Sequence, residues 1–156
     1  MTSFTGPWAH AFYTDLPTAL RSKSNYRHGE KKSAWGTLRN FETVAGLTIA
    51  RDVPDGWDLG SKSDALADRP VVLMVILARS MLDASNFSKS LADAAEGVVV
   101  INDASITATT SLGVRARKDP RAAVAFAQLP AGTSLPDQAS ALAELTAQAV
   151  RQFEAG

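Results

Sequence analysis

The segment Leu82–Ile106, LDASNFSKSLADAAEGVVVINDASI, constrains the fold more than any other stretch of this chain. It follows a short, β-branched apolar run, Val71 to Ala78, whose length and composition are those of a buried strand. Asp83 leaves that run, and Ser85 stands where a helix N-cap belongs, because its hydroxyl can accept a bond from an otherwise orphaned backbone N–H. Beyond it, Asn86, Lys89, Asp93 and Glu96 are spaced by three, four and three residues. At about 100° per residue they share one polar stripe. Phe87, Leu91, Ala94 and Ala95 fall on the other face and are expected in the core. Gly97 is placed to stop the helix, and Val98 to Ile101 reads as a second buried strand that delivers Asp103. The spacing predicts one short helix between two strands.

Carboxylates at the ends of two strands, beside a polar stripe carrying a lysine, have the makings of a hard-cation site. Magnesium takes oxygen ligands, keeps several waters and needs only one or two protein carboxylates together with substrate phosphate. A lysine nearby offsets phosphate charge as a point cation. The same residues also read more plainly, with Asp93 and Glu96 on a solvated helix face and Asp103 in a turn.

The string D-x-S-N-x-x-K-x-x-x-D-A, followed by G-V-V-V-x-N-D-x-S-I, resembles the signature of the RusA family of Holliday junction resolvases. In that family an aspartate pair precedes N-x-x-K, then D-A-L, then a second acidic pair. Asp83 matches the first aspartate, Asn86 and Lys89 the N-x-x-K, Asp93 the following aspartate, and Asp103 the second acid of the later pair. Ser85 and Asn102 stand where the family has acids, which removes two formal charges and predicts weaker magnesium binding. The resemblance covers about 25 residues. It implies a magnesium-dependent endonuclease (Mn2+ being an alternative metal) that resolves four-way DNA junctions as a homodimer. Asp83, Asp93 and Asp103 would be metal ligands and Lys89 would join them in catalysis, while Asn86 would orient a ligand or touch a strand. The two departures also leave open a weakened relative that binds branched DNA without cutting it. A protein-interaction domain with no nucleic-acid role is a further alternative, and a ribonuclease or flap-cutting substrate range also stays open.

Other features bound this reading. A chain of 156 residues with 46% hydrophobic and 21% charged residues is expected to form one domain with a substantial core. The absence of cysteine excludes disulfides and thiolate metal sites. His10 and His28 lack the partners of a zinc motif. No apolar run is long enough for a membrane span, so a cytoplasmic protein is expected. Net charge is zero, which argues against nonspecific coating of nucleic acid.

Cations are nevertheless clustered. Arg21, Lys23, Arg27, Lys31, Lys32 and Arg39 are opposed over that span only by Glu30, and Tyr26, His28 and Trp35 interleave with them. Such a cluster can bind backbone phosphates, with aromatic rings stacking on unpaired bases. A second patch comprises Arg115, Arg117, Lys118 and Arg121, with alternation expected to put Arg115 and Arg117 on one face of a strand. Either cluster also reads as an ordinary solvated loop or hairpin.

The expected architecture is α+β, a mainly antiparallel sheet of four or five strands with about three helices. A short strand lies within Phe4–Tyr13, and a helix covers roughly Ala34–Ala50 with Leu38, Phe41, Ala45 and Leu47 or Ile49 turned inward. Residues 106–117 and 121–129 read as an antiparallel pair joined at Asp119-Pro120. Pro136 and Asp137 start a last helix with Leu142, Leu145, Ala149 and Phe153 as its apolar stripe.

Overall fold

Strand Val71–Arg79 has eight consecutive buried residues, Val71 to Ala78, a pattern that requires cover on both faces and a neighbour on each side. The computed structural model, which describes residues 4–16, 32–81 and 84–156, shows how that cover is supplied. Its elements are β1 (His10–Asp15), α1 (Lys32–Asp52), β2 (Val71–Arg79), α2 (Ser88–Ala95), β3 (Ile106–Val114), β4 (Arg121–Leu129) and α3 (Leu135–Ala155), with short 3-10 turns at Leu66–Asp68, Ala84–Phe87 and Asp103–Ser105. The sheet order is β1-β4-β2-β3. β4 is antiparallel to both β1 and β2, whereas β2 and β3 run parallel. Among the described residues the fold is therefore α+β, with a mostly antiparallel four-stranded sheet and three helices.

Side chains of β2 and β4 alternate between two cores, as the period of a strand demands. Val72, Met74, Ile76, Val124 and Phe126 pack with Phe41, Ala45 and Ile49 of α1 and with Phe87, Leu91 and Ala95 around α2. Leu73, Val75, Leu77 and the alanines 123, 125 and 127 pack with Ala141, Leu145, Ala149 and Phe153 of α3. The alanines on both sides of that second core let α3 lie close to the sheet. Ser134 caps α3 by accepting from the Asp137 N–H, and Pro occupies the first turn, where its missing N–H costs nothing.

Three expectations are corrected. Val98–Ile101 forms no strand. Gly97 adopts φ +82°, the chain doubles back, and the N–H groups of Val98, Val99 and Val100 all converge on the Ala95 carbonyl. Val99 and Val100 are buried as plugs in the α1/α2 core. Second, β3 and β4 do not pair with each other, because β2 lies between them. The almost uninterrupted apolar sequence of β4 requires an interior position, and the threonine-rich β3 is suited to an edge. Third, Ser85 is not the cap of α2, which starts at Ser88 after the 3-10 turn. Within α1, Ile49 is fully buried and Leu47 is 62% exposed, which resolves that alternative.

Candidate functional site in the β2–β3 crossover

Parallel neighbours must be joined by a crossover, and here the crossover is the whole polar motif. Asp83 lies outside the described residues. The next residue, Ala84, opens the 3-10 turn and packs on the far end of β3, where a β-carbon at Gly113 would lie 3.3 Å from that of Ala84. Phe87 anchors this turn as a fully buried side chain, and the Ser88 hydroxyl donates to the Ser85 carbonyl at 3.0 Å. Asn86 is half-buried, and Lys89 is exposed on the first turn of α2.

Asp93 is half-buried and faces α1. With Glu42, Thr43, Gly46, Leu47 and Val98 it lines a cleft of about 380 Å³ between α1 and α2. The helices touch there without an intervening side chain, since a β-carbon at Gly46 would stand 3.0 Å from the Ala94 carbonyl oxygen. Glu42 was not among the residues expected from the sequence. A carboxylate at that position is visible in α1 as a polar residue next to the buried Phe41, but its place in the cleft is set only by helix packing.

Asp103 is exposed in the turn that precedes β3. Asn102 caps that turn, its Oδ1 accepting from the Ala104 N–H at 2.8 Å. Ile106, the first residue of β3, is seven positions from Gly113, roughly 23 Å at 3.3 Å per residue. Within one chain, then, the Ala84 turn and the Asp103 turn occupy opposite ends of β3, and α2 packs against both turns along the way. Among the described residues, no group of three or more His, Asp or Glu side chains is assembled to hold a metal ion. The donors that the motif supplies are carboxylate and amide oxygens, the chemical set that suits Mg2+ or Mn2+.

Arg21, Lys23, Arg27 and Lys31 lie outside the described residues, and Lys32 opens α1. Arg115 and Arg117 are exposed in the β3–β4 connection, after the strand and not on it. Arg121 was expected beside them, yet it is turned inward. Its guanidinium donates to the carbonyls of Phe153 (3.0 Å) and Gly156 (3.3 Å), lies 4.4 Å from the centre of the Phe153 ring and pairs with Asp15 at 3.6 Å.

Trp57 supports the crossover from behind. Its indole N–H donates to the Val99 carbonyl at 2.8 Å, and its ring meets Phe12 edge-on at 5.2 Å. The sequence offered only a tryptophan within a loop of glycine and aspartate. Compared with known proteins, the chain matches no protein-family model and no curated protein.

Proposed function

We propose that this protein is a RusA-like, magnesium-dependent endonuclease acting on four-way DNA junctions. The observation that supports this most is the coincidence of the motif with one structural unit. D-x-S-N-x-x-K-x-x-x-D-A and the later N-D-x-S-I make up the β2–β3 crossover, with Lys89 and Asp103 both open to solvent. Because the Ala84 turn and the Asp103 turn stand at opposite ends of β3 within one chain, this reading takes Asp83 and Asp103 as cation ligands contributed by different copies, with Asp93 giving a further oxygen. A bound divalent ion supplies Lewis-acid activation of the scissile phosphate and of the attacking water. Lys89 offsets charge on that phosphate, Asn86 orients it, and the exposed Arg115 and Arg117 grip flanking phosphates together with Arg21, Lys23, Arg27, Lys31 and Lys32. A four-way junction needs two matched cuts, which suits a two-fold homodimer. No helix among the described residues is long and apolar enough to cross a membrane.

The test is a labelled synthetic four-way junction incubated with the protein and Mg2+. Paired nicks are expected, with Lys89→Ala, Asp83→Asn and Asp103→Asn each losing at least about 100-fold, since even outer-sphere partners of metal ligands cost 10–100-fold. Intact strands and no salt-dependent affinity for the junction would overturn the proposal.

One observation favours a second reading, a junction-binding relative that does not cut. Asn102 replaces an acid of the family pattern, and its side-chain oxygen is already spent on the Ala104 N–H. Salt-dependent junction binding in Mg2+ with every strand intact is the outcome specific to that reading.

A further inference from the structure

Among the described residues, β3 borders the sheet and pairs on one side only, with β2. Its nine residues, ITATTSLGV, contain no charge and no proline. Exposed edges of monomeric proteins are normally blunted by lysine, proline, bulges or short length, because their free N–H and C=O groups are a template for another strand. The opposite edge, β1, is shorter and carries an exposed aspartate at its end. β3 has a single irregularity, at its start, where pairing with β2 steps from Val72–Ile106 to Leu73–Ala108. From Ala108 to Val114 the register is regular, and Leu112 and Val114 are 44% and 61% exposed.

The flanks of this strand are opposite in charge. Asp103 is exposed just before it; Arg115, Arg117 and Lys118 are exposed just after it. A strand that is neutral along its length, acidic at one end and basic at the other is complementary to an antiparallel copy of itself.

We propose that β3 is the seam of a homodimer, in which two copies pair antiparallel about a two-fold axis at Thr110, with Ala108 of each opposite Leu112 of the other. Antiparallel partners must present side chains to the same face, so the two paired positions must differ by an even number. This register meets that condition and sets a small residue against a large one. It also brings the Asp103 turn of each copy alongside the Arg115–Lys118 segment of the other, and by symmetry the attraction occurs twice. A single extended peptide satisfies the edge hydrogen bonds but gains the charge match only if it carries the same asymmetric flanks. The product is an eight-stranded sheet with both α3 helices on one face. This inference is independent of nuclease activity, because a dimer that cuts nothing leaves it standing.

The chain has no cysteine, so a single introduced thiol reports on the seam. Directly opposed residues have β-carbons about 4.5–5.5 Å apart, near disulfide range, and diagonal ones are about 7–8 Å apart, beyond it. On mild oxidation, Thr110→Cys is expected to give a covalent dimer on a non-reducing gel and Thr109→Cys to stay uncrosslinked. By sedimentation the parent runs at twice its 16.5 kDa chain mass. Leu112→Lys raises the dimer dissociation constant at least about 100-fold, since it forces two buried charges into the seam, with thermal melting of the monomer preserved. Arg117→Glu also weakens the dimer, and adding Asp103→Lys restores it. A parent that remains monomeric overturns the proposal. So does a dimer trapped equally by both cysteines, or one indifferent to Leu112→Lys and Arg117→Glu.

Discussion

Replacing Arg121 tests whether a residue that looks like a DNA contact in the sequence is a structural clamp. The side chain donates to two carbonyls at the C-terminal end of α3, where a cation also meets the negative pole of the helix. Hydrogen bonds to a charged group are worth about 1.5–3 kcal/mol. The contact over Phe153 adds about 0.5–1 kcal/mol. Asp15, whose side chain is 67% exposed, adds little once solvent screens it. These contributions overlap, so Arg121→Ala is expected to cost about 2–3 kcal/mol. For a chain of this size that corresponds to a melting temperature roughly 5–10 °C lower. Arg121→Lys keeps the charge without the planar fork and should recover only part of the loss. Thermal unfolding followed by circular dichroism gives the answer. A change within about 1 °C for Arg121→Ala would refute the clamp, as would a junction affinity that falls more for this variant than for Arg117→Ala.

Two further perturbations probe the support of the crossover and the β1 edge. Trp57→Phe retains the ring contact with Phe12 but leaves the Val99 carbonyl without its donor, so urea unfolding should show a loss of about 1–3 kcal/mol. Tyr13 is held above the ordinary tyrosine pKa by burial first and by the adjacent Asp15, which also accepts its hydroxyl at 3.0 Å. The folded chain thus keeps a proton that the unfolded chain releases from about pH 10. Stability from this group is complete below that pH and is lost as pH rises, a slope that Tyr13→Phe should remove from urea midpoints measured between about pH 9 and 11.

Much of the fold was legible because single-element signals are local. The apolar run of β2, the buried face of α2 at Phe87, Leu91, Ala94 and Ala95, the stop at Gly97 and the stripe of α3 all follow from period and punctuation. What escaped depends on neighbours. Three consecutive valines carry a strong strand preference, but after the left-handed Gly97 they are recruited as plugs for the α1/α2 core. Asp119-Pro120 looks like a hairpin turn, yet the need of β4 for two flanking strands carries it past β3 to the other side of β2. The polar stripe assigned Asp93 to the correct helix face, but only the close approach at Gly46 turns that face toward Glu42. Arg121 reads as surface charge because its acceptors are carbonyls more than thirty residues away.

The pairing of β1 with β4 has a consequence for how the protein is made. His10 meets Gln128 and Asp15 meets Ala123, so the first strand cannot find its place until more than a hundred further residues exist. At translation rates of ~5–20 residues per second this means a wait on the order of ten seconds. Throughout that interval Phe12 and Tyr13 have no sheet to cover them. The β1 segment of the nascent polypeptide is where a chaperone would be expected to hold on.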